Sequence, residues 1–259
     1  MDKTILEAID AASEIWSRAV FPVALTGAGI SVASGIPDFR SPGGLWSRFD
    51  PMEVATDKAL RRNPLGVWQF LLEAVQVFVR AVPNPAHEAL AELERAGCLQ
   101  AIITQNIDSL HQRAGSRRVV EFHGHCRSFY CNSCRAAGDV GRVAKLTRAD
   151  IPWTCDHCGG VIRPEVVFFG EAIPEQAMQE AERLVARADL AIIVGTSGEV
   201  APFSVFPYRI KAMGGRVIEI NLGPTAYGRL PDVRIDAPAE RVLPELARRI
   251  LKPHAPAIT

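Results

Sequence analysis

The stretch TGAGISVASGIPDFR, residues 26–40, follows the apolar run AVFPVAL and sets glycines where a backbone would have to approach a phosphate. A dinucleotide fingerprint needs G-x-G-x-x-G after a strand, with an acid about 20 residues on to hold a ribose. Gly27 and Gly29 fit, but Val32 stands at the third glycine position, and the next acids, Asp50 and Glu53, fall in a Pro- and Arg-containing segment. The preceding strand and the helix-start residues that follow favour phosphate binding over a plain tight turn. Hydride transfer is poorly supported by the same loop.

Working outward, short β-branched runs alternate with helical stretches: 21–25, 99–104, 118–122, 189–195, 216–221 and 232–236. Between them, PAHEALAELERAG, PEQAMQEAERLVARAD and PAERVLPELARRIL carry apolar residues three and four apart, with Pro or Gly at their ends. Such alternation predicts an α/β, doubly wound (Rossmann-like) parallel sheet whose ligands bind at the carboxyl ends of the strands. Two stretches break the rhythm. Residues 43–86 are aromatic-rich and helical, and residues 124–160 hold cysteines with little apolar periodicity. We read 1–42, 87–123 and 161–259 as the nucleotide-binding domain, with 43–86 and 124–160 together forming a second, smaller domain.

The chain has 259 residues, 48% hydrophobic and 22% charged, with 29 basic against 29 acidic side chains. That balance gives no electrostatic footprint for nucleic acid. The N-terminus reads as an amphipathic helix rather than a secretory signal, and no apolar run approaches the roughly 18 residues of a membrane span. A cytoplasmic location, with no membrane partner, is the expectation. Without an export signal, the six cysteines call for chemistry other than disulfides. Cys131-x2-Cys134 and Cys155-x2-Cys158 have the double-knuckle spacing of a structural zinc site, whose metal can supply about 10 kcal/mol or more of folding free energy. Cys98 and Cys126 read as small buried hydrophobes.

Polar residues gather where the strands end. Gln105, Asn106 and Asp108 follow LQAIIT, and a helix cap accounts for one of them but not for all. His123 in EFHGH is a candidate general base, GTSGEVAP offers small hydroxyls after the fourth strand, and Asn221 ends the fifth.

Taken in order, TGAGISVASGIPDFR, TQNID, HGH, the two C-x2-C pairs, RPEVVFFGE, VGTS and INLGPT resemble the sirtuin family of NAD-dependent protein lysine deacylases, nearly end to end. The resemblance implies that NAD is consumed rather than recycled: an acyl-lysine oxygen displaces nicotinamide, and His123 then acts as base for a ribose hydroxyl, giving lysine and O-acyl-ADP-ribose. It places Gly27, Ala28, Gly29 and Ser31 against the phosphates or adjoining ribose. Ile36, Pro37, Asp38, Phe39 and Arg40 would form a loop closing over NAD, with Phe39 shielding the reacting carbon. Asn106 and Asp108, with Ile107 between them, would form the nicotinamide pocket, and Gln105 would approach the ribose. Gly195, Thr196, Ser197 and Asn221 would hold the adenosine half.

The acyl-lysine peptide would add as a strand between Val167, Phe168, Phe169, Gly170 and Glu171 on one side and Gly198, Glu199 and Val200 on the other. Succinyl-preferring relatives carry a Tyr-x-x-Arg pair where this chain has Leu71 and Ala74, so the resemblance is to an acetyl-preferring, bacterial-type enzyme handling neutral acyl groups. The zinc would be structural. ADP-ribosyl transfer or NAD hydrolysis at the same site, and a non-catalytic NAD-binding module, are the competing readings.

Overall fold

The computed structural model describes residues 2–38 and 48–252. In chain order its elements are α1 (Lys3–Ser17), β1 (Pro22–Thr26), a 3-10 segment (Ala28–Ser34), α2 (Pro51–Val54), α3 (Asp57–Arg62), α4 (Pro64–Arg80), α5 (Pro85–Arg95), β2 (Ala101–Thr104), α6 (Leu110–Arg113) and β3 (Val119–Glu121). There follow β4 (Gly124–Cys131), α7 (Val140–Val143), β5 (Ile162–Val166), α8 (Glu175–Val185), β6 (Leu190–Val194), α9 (Phe206–Ala212), β7 (Arg216–Asn221), β8 (Val233–Asp236) and α10 (Ala239–Ile250).

All six β-branched runs form one parallel sheet, in the order β3-β2-β1-β6-β7-β8. Its central strands β1, β2 and β6 are buried at every position, as a sheet covered on both faces requires. Alternate residues feed two cores. Ala24, Ile102, Ile192 and Ile218 face α1, α5 and α10, while Leu25, Ile103, Ile193 and Val217 face α8 and α9. Each such side chain contributes about 1.5–3 kcal/mol by leaving water. The N-terminal helix is amphipathic as read: Ile9, Ala12 and Trp16 are buried, and the Trp16 indole donates to Cys98 O at 2.7 Å.

The two interruptions pack on each other. Leu60, Val67, Trp68 and Leu71 from the helical stretch share a core with Phe129 and Trp153 from the cysteine-bearing one and with Ile162 and Phe168 just beyond it. At its centre Trp68 and Trp153 meet edge to face at 5.9 Å, and the Trp68 indole donates to Ile162 O at 2.8 Å. One boundary needs correction. Placing 161 onward in the large domain separates Ile162–Val166 from its partner, because β5 pairs antiparallel with β4 in a separate two-stranded sheet. The pairing is non-local in sequence, so apolar periodicity alone does not reveal it. Gly124 marks the tight end of this ribbon: its φ is +74°, and a Cβ there would lie 2.1 Å from Glu165 O.

Among the described residues no single helix is long and apolar enough to cross a membrane.

Candidate active site

The crossing between the first loop and the loop after β6 sets the floor of the site. Gly27 N–H donates to Val194 O at 3.0 Å and Gly29 N–H to Gly195 O at 2.8 Å. This approach is possible only without side chains: a Cβ on Gly29 would sit 2.7 Å from Gly195 Cα, and one on Gly195, whose φ is +63°, 2.3 Å from Ile30 N. The glycines therefore serve loop-to-loop contact as well as any phosphate.

Further side chains stitch the strand ends together. The Gln105 amide donates to Thr196 Oγ1 at 2.8 Å, and the Asn221 amide donates to Thr196 O at 2.7 Å. Asn106 Nδ2 donates to Gly27 O at 3.1 Å and to Ser31 Oγ at 3.2 Å. Ser31, fully buried, donates to Asp108 Oδ2 at 2.7 Å, while Asp108 Oδ1 accepts the Leu110 N–H at 2.9 Å. Burial pushes the Asp108 carboxyl above its ordinary range, and these two donors oppose the shift.

His123 follows β3 on the same sheet edge, its backbone carbonyl accepting the Val167 N–H at 2.9 Å. Burial holds its imidazole below the ordinary value of 6.5, and a hydrogen bond to the Gln105 backbone acts in the other direction. The ring is therefore a neutral proton acceptor near pH 7.

Several predicted residues are not solvent-facing side chains. Phe168 lies in the small-module core, whereas Phe169 is 41% exposed. Ile36 and Ala74 are buried together with Phe78 and Leu110, with Ile107 packed against them, and Leu71 is buried a turn earlier on α4. Asp38 is half-buried and Pro37 exposed; Phe39 and Arg40 lie outside the described residues. Ala28 and Gly29 fall in the 3-10 segment, and Ser197 O accepts the Ala226 N–H at 2.8 Å. Gly198 takes φ +77° against the Tyr227 ring, followed by Glu199 and Val200.

A polar layer beneath the site was not foreseen. His111 Nε2 lies 2.9 Å from Thr26 Oγ1, which donates to Thr104 Oγ1 at 2.8 Å, and Thr104 Oγ1 also accepts the Asn106 N–H at 3.0 Å. Which of His111 and Thr26 donates in this contact follows from the imidazole tautomer. His87 caps α5 with Asn84 and meets the His111 ring at a tilt, 4.9 Å between centroids. Desolvation drives His87 down to about 4 and His111 well below its ordinary value. Asn84-Pro85 ahead of an apolar helix is a legible cap, but nothing in the sequence marks the two histidines as neighbours. Of the leftover cysteines, Cys126 is pushed by burial to about 12, an inert thiol, while Cys98 is half-buried.

The four paired cysteines meet as their spacing predicts. Their Sγ atoms all lie within 4.8 Å of one another, with Cys131 to Cys158 at 3.5 Å and Cys134 to Cys155 at 3.8 Å. A tetrahedral zinc with Zn–S near 2.3 Å needs S–S separations of about 3.8 Å, so the thiolates fit one ion and leave no open position.

Fold and site together define a nucleotide-binding α/β protein with an appended zinc ribbon. The chain belongs to the Sir2 family, which residues 27–202 match. It is 46% identical over 242 residues to an NAD-dependent protein deacylase of the archaeon Thermococcus kodakarensis, covering 92% of this chain and 94% of that one. A Sir2 homologue solved as a complex with NAD superposes with a TM-score of 0.86 at 41% identity, covering 93% of each chain. A Sir2 variant solved with deacetylated p53 peptide and 3′-O-acetyl ADP ribose gives 0.85 at 36%, covering 93% of this chain and 96% of that one.

Proposed function

We propose that this protein is an NAD-dependent protein lysine deacylase. The observation that carries the reading is the convergence of Asn106, Asp108, Ser31 and His123 on one sheet edge beside a glycine-lined loop crossing, in a chain of the Sir2 family. NAD brings to such a site an activated glycosidic bond, whose cleavage releases nicotinamide and leaves the ADP-ribosyl group able to take the acyl group.

The residues of the chain supply the rest. Gly27, Ala28 and Gly29 offer backbone to the phosphates; Gln105, Thr196, Ser197 and Asn221 orient the ribose and adenosine half. Asn106 and Asp108, locked by Ser31 and Leu110 N–H, wall the nicotinamide pocket with fixed polar groups. Such preorganised dipoles need no reorganisation as charge develops. His123, kept neutral by burial, takes a proton from a ribose hydroxyl at Nδ1 or Nε2. The segments Val167–Glu171 and Gly198–Val200 receive the peptide as an added strand, recognising backbone more than sequence.

The acyl end meets Leu71, Ala74 and their apolar neighbours on α4. A dicarboxylic acyl tail buried there would cost several kcal/mol, so acetyl and other neutral acyl groups are the substrates. Acylated lysines of cytoplasmic proteins are the substrates in this reading.

The test is a panel of acyl-lysine peptides with NAD, products read by mass spectrometry, wild type against His123→Ala. O-acyl-ADP-ribose and free lysine are expected from acetyl peptide. ADP-ribose attached to protein would establish the transferase reading instead, and a succinyl preference would overturn the acyl assignment.

A further inference from the structure

The segment from Val167 to Glu171 is pinned from beneath by a buried ion pair that the chemistry above does not use. Arg163, on β5, is 1% exposed. Its Nη1 donates to Glu171 Oε1 at 2.6 Å, and its Nη2 donates to Glu171 Oε2 at 2.8 Å and to Val166 O at 2.6 Å. The guanidinium carbon lies 3.9 Å from the Phe168 ring centroid. Glu171 Oε2 also accepts the Phe168 N–H at 2.8 Å, and Gly170, at φ +85°, lets the chain turn back so that Glu171 can reach Arg163.

The next amide is committed too: Phe169 N–H donates to Ala55 O at 2.8 Å. Thr56 follows, and Asp57 accepts from Asn132 Nδ2 at 3.1 Å. Asn132 adjoins the thiol of Cys131, which is itself paired across the ribbon with Ile162, next to Arg163. Both supports of the segment thus lead back to the same zinc knuckle.

A fully buried guanidinium is costly to desolvate, and a well-packed apolar residue would serve the core as well or better. What a bidentate pair adds is a fixed direction and register. We infer that Arg163 is a positioning residue for the acyl-lysine strand, holding Glu171 and the Phe168–Phe169 backbone in the register an incoming peptide requires. This rests on the reading of Val167–Glu171 as one wall of the peptide site. It adds a specific consequence: the zinc module governs peptide affinity through Arg163 while leaving nucleotide affinity to the large sheet.

The experiment is steady-state kinetics on zinc-loaded, full-length wild type, Arg163→Lys, Arg163→Met and Glu171→Gln, varying acetyl-lysine peptide and NAD separately. Loss of a charge-assisted hydrogen bond predicts a rise of about 10-fold in peptide KM for Arg163→Met and Glu171→Gln, with NAD KM within about 2-fold of wild type. Arg163→Lys, which keeps the charge without the fork, should fall between. Should Arg163→Met fail to fold, Glu171→Gln decides, since its side chain is 29% exposed and its removal leaves no cavity. A wild-type peptide KM in folded, zinc-loaded Glu171→Gln, or an equal rise in NAD KM, overturns the positioning role alone. If the wild type itself leaves acetyl-lysine peptides unmodified, the functional reading falls and this inference with it.

Discussion

The six-stranded sheet and the two-stranded ribbon hold their functional groups by different physics. The sheet has an apolar core on each face, and its strand ends are tied by backbone and amide hydrogen bonds, so its site is fixed by packing that needs no ligand. The ribbon pairs only two strands, and two strands alone are marginal in water. It is held by an apolar core shared with α3 and α4, with Trp68 against Trp153 at its centre, and by four thiolates arranged for one ion. The strand ends of the sheet therefore sit on a self-sufficient scaffold, whereas Val167–Glu171 follows a ribbon that carries four thiolates placed for one metal ion.

The largest expected effect tests that division directly. Chelation of zinc, or Cys155→Ser, removes a contribution of about 10 kcal/mol or more to the small module. Limited proteolysis should then cut between residues 124 and 168 while fragments of the parallel sheet stay protected; uniform digestion would break the comparison. Next, His123→Ala should lower kcat for deacylation by about 100- to 10,000-fold, the range for a general base, with ADP-ribose affinity by calorimetry little changed. Because burial lowers the His123 pKa, the acidic limb of kcat/KM should lie below pH 6.5, the neutral ring surviving to lower pH.

A smaller effect probes the layer under the site. His87 is held at about 4 against an ordinary 6.5, so its neutral burial contributes fully above pH 6.5 and is lost as pH falls toward 4. The loss is about 3 kcal/mol, and His87→Gln should flatten that part of the urea-midpoint profile. A profile unchanged by the substitution would remove His87 from the account. Least of all, Arg62→Ala breaks a pair whose side chains are 63% and 56% exposed, and should shift stability by less than about 1 kcal/mol.

Legibility followed the range of the interactions. The parallel strands were readable because each is a local apolar run with turn residues at its end, and the order of motifs along the chain pointed to the family. The metal set was readable because C-x2-C fixes its own local geometry. Less legible was β5, whose partner lies more than 30 residues earlier and whose RPEVV run looks continuous with VFF. Phe168 and Phe169 show the same limit: adjacent and identical in type, one is buried under Arg163 and the other is exposed.

By itself, then, the sequence determined the parallel α/β architecture, the thiolate quartet and the polar residues at the strand ends. All of these arise from local periodicity, local spacing and chain order. Only the tertiary structure decided that Gly29 and Gly195 meet, that the His87 and His111 rings lie against each other in the interior, and that Arg163 reaches Glu171. Those facts rest on contacts between distant segments, and a buried charge or a missing Cβ declares its purpose only when the atom it faces is known.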